Sequence, residues 1–242
     1  MNTQQETQRQ INMHIVITEK GGSGKTTVVN ALASLAKLKE INIKVEDFDP
    51  SSKSSFSQLK WANVQKADIL GDNKQIDDSK FEYFIDEQLD GDVDYVVWDC
   101  GGGTSTQLLN YLQDPLNKSM LKEYISEGVN FFFHIIIAGG DNYVTCADYA
   151  EQLLTVTQDL GKRYLVLNEY FDITKEQLKD LKELSQSLSC RVRKFNLIEG
   201  NGEAMLKEIS ACRIQGVPPL EHLSRAALRR FKKTLNNLEF EF

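Results

Sequence analysis

One stretch near the amino terminus, HIVITEKGGSGKTTVVN at residues 14–30, limits the folds that are open to this chain. An apolar, β-branched run predicts a buried strand at 14–18, and apolar residues at three- and four-residue spacing predict a helix at 28–38. Between them lies KGGSGKTT, which has the spacing of a phosphate-binding loop except that Glu19 replaces the first glycine. A strand, a glycine-rich loop and a helix in this order predict a nucleotide-binding α/β fold.

The rest of the chain continues the alternation of strand and helix. Further apolar runs predict buried strands at 43–49, 67–70, 94–100, 130–138, 163–168 and 190–197. Helical spacing recurs between them at 81–89, 146–160 and 175–188. This order predicts a mostly parallel sheet of about seven strands with helices on both faces. We expect one domain over residues 12–242, after a flexible polar segment at 1–11.

The loop residues have separate expected roles. Glycines let backbone N–H groups curve around phosphate oxygens, and the start of the next helix adds partial positive charge. Lys25 is expected to reach the β- and γ-phosphates, and the Thr26 hydroxyl to bind Mg²⁺. The alternative is an ordinary glycine-rich turn, although chance assembly of the motif is on the order of one in a million from average residue usage. The predicted nucleotide-binding set is Gly21, Gly22, Ser23, Gly24, Lys25, Thr26 and Thr27.

Three aspartates end two of the predicted strands. Asp47 and Asp49 lie two residues apart in VEDFDPSS and so point to the same side, at the edge that faces the ligand crevice of a doubly wound sheet. Asp99 ends the run DYVVWD before three glycines, which is the Walker B pattern of a carboxylate that holds Mg²⁺ through water. Glycines 101–103 are expected to form a mobile loop near the γ-phosphate. Turns that end strands are the alternative explanation of these aspartates.

Composition and charge exclude several classes of protein. The chain is 41% apolar and carries a net charge of −7, which indicates a full core and argues against an extensive nucleic-acid coat. The four cysteines include no C-x-x-C pair, a pattern that fits a reducing cytoplasm and neither a disulfide framework nor a zinc site. The polar first ten residues lack the apolar region of a signal peptide, and no apolar run is long enough to span a bilayer. We therefore expect a cytoplasmic protein.

The loop KGGSGKTT resembles the deviant Walker A motif, K-G-G-x-G-K-[ST], of the ParA/MinD superfamily of ATPases. The resemblance implies a P-loop ATPase that uses ATP and Mg²⁺ and forms a nucleotide-sandwich homodimer. It implies that Lys20 contacts the nucleotide of the partner subunit, whereas the spacing only permits this contact. The alternative is that Lys20 is an exposed loop lysine that contacts only solvent.

The same resemblance assigns the remaining site residues. The DFD element is similar to the D-x-D element of the superfamily, so Asp47 is expected to assist the metal with Thr26 and Asp99. Asp49 is then expected to orient the attacking water, and the implied catalytic set is Lys20, Lys25 and Asp49. An Asn at a late strand end often contacts adenine in this superfamily, which suggests Asn168 in RYLVLNEY; a turn-capping role for Asn168 remains equally open.

Within the superfamily, the chain is most similar to the TraL-type ParA-like proteins of conjugative plasmids. The similarity covers the K-G-G-x-G-K loop, the D-x-D-P element, WDCGGGTSTQLLNYL, AGGDNYVTCADYAEQLL and LVLNEY. Two departures stand out: Ser51 replaces the glutamine of D-x-D-P-Q, and the helix-turn-helix extension of larger partition proteins is absent. The second departure argues against a sequence-specific operator binder.

The carboxyl-terminal stretch predicts an amphipathic basic helix at about 218–238. Its apolar stripe consists of Leu220, Leu223, Ala227, Phe231, Leu235 and Leu238. Five cations lie beside or opposite the stripe and are candidates for non-specific DNA contacts: Arg225, Arg229, Arg230, Lys232 and Lys233. Simple packing with a solvated basic face is the alternative, and terminal glutamates disfavour a membrane-surface helix.

Three functions are compatible with the sequence. The first is an ATP-dependent dimerising switch that hydrolyses ATP in plasmid conjugative transfer or partition, with a protein partner of such a system. The second is a metabolic ligase on the same fold, for which no acceptor cluster is visible. The third is a nucleotide-gated module that does not hydrolyse, against which the intact DFD element argues. His134, inside the run at 130–138, is expected to be a core residue rather than a catalyst.

Overall fold

The predicted parallel sheet is confirmed. The computed structural model describes residues 9–48, 54–196 and 202–237; the predictions for Asp49 and Leu238 lie outside these ranges. Seven strands of the described chain form one sheet in the order β3-β2-β4-β1-β5-β6-β7, and all neighbouring pairs are parallel. They are β1 (Ile11–Ile17), β2 (Ile43–Asp47), β3 (Val64–Lys66), β4 (Tyr95–Asp99), β5 (Val129–Ala138), β6 (Gly161–Asn168) and β7 (Arg191–Phe195).

Helices cover both faces of the sheet. The core of one face is formed with α3 to α7, and that of the other with α1, α8 and α10. None of the described helices is long and apolar enough to cross a bilayer. The helices are α1 (Lys25–Leu38), α2 (Ser54–Gln58), α3 (Asp78–Asp90), α4 (Gly102–Gln113), α5 (Pro115–Ser126), α6 (Tyr143–Val156), α7 (Lys175–Ser187), α8 (Gly202–Gln215), α9 (Pro219–His222) and α10 (Arg225–Asn237).

The position of β1 determines where a ligand can bind. β1 lies between β4 and β5, so the strand order reverses at β1, and the carboxyl ends of these strands open a crevice there. The loop KGGSGKTT leaves β1 at this end. On the neighbouring pair β2 and β4, Asp47 and Asp99 are register partners at the same edge. The sheet therefore brings the loop and two of the predicted aspartates to one place.

Two predicted boundaries were wrong. The third strand is Val64–Lys66 rather than 67–70; the later residues form a loop in which Ile69 is buried and Leu70 makes only an isolated antiparallel bridge to Ile76. A buried loop residue gives the same apolar signal as a strand. The domain also begins before residue 12, because β1 starts at Ile11 and the Arg9 guanidinium donates to the carbonyls of Leu89 and Val93.

The predicted helix at 218–238 is two helices. α9 ends at His222, and α10 starts at Arg225 after Ser224, whose backbone N–H and hydroxyl both donate to the Glu208 carboxylate on α8. The hydroxyl of Ser224 also accepts from the Ala227 N–H at 3.4 Å, as a helix-capping serine does. Capping thus restarts the helix at Ser224.

His134 is a core residue, as predicted. It is fully buried on β5, and its Nε2 lies 3.0 Å from Nδ1 of His14 on β1. The two imidazoles belong to a stacked row that continues with Phe132 on one side and Tyr164 on the other. Burial lowers the pKa of His134 well below its ordinary value, so the ring is neutral and serves packing.

Candidate functional site

The loop between β1 and α1 adopts a conformation that requires glycine. Gly22 and Gly24 have φ angles of 74° and 100°, in the left-handed region that other residues rarely adopt. A side chain on Gly24 would also meet Asn168 Nδ2 at 2.3 Å. Gly24 is the N-cap of α1 and supplies no side-chain acceptor to the first turn. The amino terminus of a 14-residue helix thus faces the crevice with partial positive charge, where an anion is favoured.

The Lys25 side chain is directed back towards the start of the loop. Its ammonium donates to the carbonyl oxygens of Thr18 and Lys20, each at 3.1 Å, and the residue is buried. The same cation can turn to phosphate oxygens, which are stronger acceptors than these neutral carbonyls. By contrast, the Lys20 residue is exposed at the rim of the loop. The two lysines of the motif therefore occupy different environments, one internal and one directed to the surface.

Two aspartates and two hydroxyl groups converge beside the loop. The Thr26 hydroxyl donates to Asp99 Oδ2 at 2.9 Å, and the Ser55 hydroxyl donates to the same oxygen. The neighbouring Asp47 accepts from the Phe56 N–H through its Oδ2 at 2.9 Å. The contacts join the start of α1 and the short helix α2 to the ends of β4 and β2. Thr26, Asp47 and Asp99 thus lie close together; that they bind a metal stays a prediction.

The electrostatics of this cluster favour a cation. Burial raises the pKa of Asp99 to about 6, although hydrogen bonds from Ser55 and Thr26 lower it; the nearby Asp47 carboxylate raises it further. A divalent ion would relieve the buried negative charge, and carboxylate and hydroxyl oxygens are the ligands that Mg²⁺ prefers. The described residues contain no cluster of three or more His, Cys, Asp or Glu side chains suited to a metal. The set fits a Mg²⁺ that takes its remaining ligands from phosphate and water.

Asn168 contacts both the loop and its own turn. Its Nδ2 donates to the Ser23 carbonyl at 2.8 Å, and its Oδ1 accepts from the Tyr170 N–H at 3.2 Å. The second contact is the turn-capping role that the sequence left open. The first places Asn168 against the loop, at the wall of a cavity of about 340 Å³. Asn168 therefore caps its own turn and also lies against the loop, at the wall of the cavity.

The cavity beside the loop was not predicted from the sequence. It is lined by Gly22, Gly24, Thr27, Asn168, Tyr170, Phe171, Phe195, Leu206, Ile209, Ser210 and Arg213. Most of these side chains are apolar or aromatic, and a few polar groups lie among them. This composition is typical of a small-molecule pocket. Its position, next to the start of α1, suits the base and sugar of a nucleotide whose phosphates lie in the loop.

The expectation of a mobile loop at glycines 101–103 was wrong. Gly101 is the N-cap of α4, and Gly102 and Gly103 form its first turn. An added side-chain carbon on Gly102 would come within 2.6 Å of the Glu19 carbonyl oxygen. The glycine is required there because the helix packs directly against the backbone of the phosphate loop.

Ser55 and Arg213 were not predicted from the sequence. Ser55 lies in a run of serines after the DFD element, and a hydroxyl next to a predicted metal aspartate is the signal that could have identified it. Arg213 donates to the Thr27 hydroxyl across 186 residues of sequence, so no local pattern indicates it. Asp49, the predicted water-orienting residue, lies outside the described residues.

A family model agrees with this geometry. The model described as the CobQ/CobB/MinD/ParA nucleotide binding domain matches residues 14–238. The chain belongs to this family. Its fold is that of a ParA/MinD-type nucleotide-binding domain. Among curated protein sequences, none is significantly similar to this chain.

Solved structures of the family share the fold at low sequence identity. A chain of the MinC:MinD cell division protein complex of Aquifex aeolicus is 15% identical, with 96% of each chain covered and a TM-score of 0.56. A ParA family ATPase from Chlorobium tepidum is 13% identical over 94% of this chain and 97% of that one, with a TM-score of 0.52. A nucleotide-binding protein of Archaeoglobus fulgidus, solved with ADP, is 16% identical over 88% and 91%, with a TM-score of 0.51.

The site predicts a specific defect for Lys25→Ala. The ammonium is the expected main contact to the β- and γ-phosphates, so its removal should lower ATP affinity roughly 100-fold, near the upper end for a hydrogen bond to a charged group. Isothermal titration calorimetry measures the change. Lys182→Ala, which removes an exposed lysine on α7, is the matched control and should bind ATP as wild type does. Unchanged affinity in Lys25→Ala would contradict the assignment of the loop.

Proposed function

We propose that this protein is a cytoplasmic Mg²⁺-dependent ATPase that dimerises with ATP and acts as a switch in plasmid conjugative transfer or partition. The observation that carries the proposal is the convergence of Lys25 and Thr26 with Asp47 and Asp99 at one edge of the sheet. Family membership supports nucleotide binding, and ATPases occur among the structural relatives. The role in plasmid transfer or maintenance rests on the resemblance to TraL-type proteins.

The proposed chemistry is in-line attack of water on the γ-phosphate of ATP. Lys25 stabilises the charge of the transferring phosphoryl group, and Lys20 of the partner subunit adds a second cation. Mg²⁺, held through Thr26, Asp47 and Asp99, supplies further charge neutralisation when bound. Asp49 orients the attacking water. Turnover by such a site is slow until a protein partner completes the geometry around the water.

The carboxyl-terminal helices bear on the choice of partner. The stripe of Leu223, Ala227, Phe231 and Leu235 is buried against the core. A membrane-surface role would need this stripe exposed, so its burial disfavours that role. The five cations Arg225, Arg229, Arg230, Lys232 and Lys233 are all exposed. This leaves a basic face on an acidic protein, which supports contact with DNA phosphates over contact with lipid.

Hydrolysis separates the proposal from its alternatives. Wild-type protein should release phosphate from ATP without any organic acceptor, whereas a ligase would need one and a non-hydrolysing module would release none. Asp49→Ala should still bind ATP but hydrolyse it roughly 100-fold or more slowly, because a positioned general base contributes about that factor. Phosphate release and ATP affinity are measured on the same samples. Hydrolysis by Asp49→Ala at the wild-type rate would show that another residue orients the attacking water.

Lys20→Ala tests the proposed role of the exposed lysine. The monomeric Lys20→Ala variant should bind ATP nearly as well as wild type, because Lys25 and the loop backbone are intact. ATP-dependent dimerisation, followed by sedimentation velocity, should be lost together with hydrolysis. The control is again Lys182→Ala. A Lys20→Ala protein that dimerises with ATP as wild type does would show that Lys20 makes no contact across the dimer.

The basic face of α10 has its own test. Replacing Arg229, Arg230, Lys232 and Lys233 by alanine should weaken ATP-dependent DNA binding. The slope of log affinity against log salt concentration should fall by the amount expected for about three to four lost phosphate contacts. Basal ATP hydrolysis should be unchanged. A charge-matched control removes four exposed cations from the α7 side of the protein: Lys175, Lys179, Lys182 and Lys194. Equal losses in both variants, or no DNA binding by wild type with ATP at low salt, would assign α10 to packing alone.

A further inference from the structure

Arg213, near the carboxyl end of α8, reaches the start of the helix that follows the phosphate loop. Its Nη1 donates to the Thr27 hydroxyl at 3.0 Å, and its Nε donates to Oε1 of Gln58 on α2 at 2.7 Å. The residue also lines the cavity beside the loop, together with Gly22 and Gly24. One side chain thus touches α1, α2 and the wall of the candidate nucleotide pocket.

The guanidinium of Arg213 lacks a compensating anion among the described residues. Both of its hydrogen-bond acceptors, the Thr27 hydroxyl and the Gln58 amide, are neutral. No described carboxylate oxygen lies within salt-bridge distance of it, and Asp99 attracts it only from farther away. Burial lowers the pKa of Arg213, which shows that the charge is partly desolvated. A partly buried cation is costly unless it is paired. Two of its five N–H donors are used by Gln58 and Thr27, and the other three have no acceptor within the described part of the chain.

The location identifies the class of anion. Thr27 lies in the first turn of α1, where the helix terminus already favours negative charge. The cavity that would take the base and sugar is lined by Gly22, Gly24 and Thr27 and, from α8, by Arg213. The phosphate nearest to Arg213 would then be the one attached to the sugar. We propose that Arg213 is a nucleotide-binding residue that contacts the α-phosphate, an inference that rests on the proposed nucleotide site.

The contact with Gln58 prepares the side chain for this role. Nε donates to Gln58, and Nη1 of the same planar group donates to Thr27 at the start of α1. At the other end of α2, Ser55 and Phe56 contact Asp99 and Asp47. Arg213 and the metal-binding carboxylates therefore contact opposite ends of the same short helix. A nucleotide that engages Arg213 and Mg²⁺ together would fix α2 at both ends.

Calorimetry with ADP tests the proposal. Arg213→Met keeps an unbranched apolar stem and removes the guanidinium, and ADP affinity should fall about 10- to 100-fold, the range for a charge-assisted hydrogen bond. Arg213→Lys should recover part of the loss, because it restores the charge but not the fork. Lys207→Met, at an exposed position on the same helix, is the matched control and should bind ADP as wild type does. Sulfur substitution at the α-phosphate adds a second readout: wild type should prefer one diastereomer of ADPαS, and Arg213→Met should lose the preference.

A purely structural role for Arg213 gives different results. In that case Gln58→Met, which removes the partner of Nε, should lower ADP affinity as much as Arg213→Met does. The proposal predicts that Gln58→Met stays within about threefold of wild type, since a single neutral hydrogen bond is lost. ADP affinity of Arg213→Met within twofold of wild type would overturn the proposal, as would a diastereomer preference that is absent from wild type or retained in the variant. If Arg213→Met does not fold, the Lys and Gln58 variants decide. A wild-type protein that binds no ADP would instead refute the nucleotide site itself.

Discussion

The hydrogen bond from Thr26 to Asp99 is the interaction on which the site depends. It joins the first turn of α1 to the end of β4, and the parallel register then places Asp47 of β2 beside Asp99. Ser55 donates to the same carboxylate from α2. A buried carboxylate is stable only where donors or a cation compensate it. The phosphate loop, two strand ends and a short helix are thereby held around a single charged group.

The same arrangement explains why the loop can serve as a nucleotide site. Left-handed glycines form the loop, and the packing of Gly102 against the Glu19 carbonyl fixes it from the side of α4. Lys25 is held by neutral backbone carbonyls that a phosphate can replace. Arg213 approaches from α8 on the side of the cavity. Positive groups therefore lie on two sides of the site, and carboxylates suited to Mg²⁺ lie on a third.

The sequence predicts the parts of this site that are local. The loop motif and the strand-ending aspartates follow from spacing within a few residues, and the alternation of strand and helix is sufficient for the sheet. Ser55 and Arg213 act through contacts between segments far apart in the chain, which spacing does not reveal. The third strand was misplaced because the buried Ile69 gives a strand-like signal in a loop. Helix α4 was missed because glycines begin it, and the close approach of the Glu19 carbonyl, which spacing does not reveal, explains Gly102.

Metal dependence of nucleotide binding tests the central claim most directly. We propose that the loop and the cluster of Thr26, Asp47 and Asp99 form one Mg²⁺–nucleotide site. Calorimetric titration of ATP into the protein, with Mg²⁺ and then with a chelator, measures whether they act together. We expect one ATP per chain and an affinity at least about tenfold higher with Mg²⁺, a difference of about 1.4 kcal/mol. Equal affinity in both conditions, or no binding in either, would contradict the account.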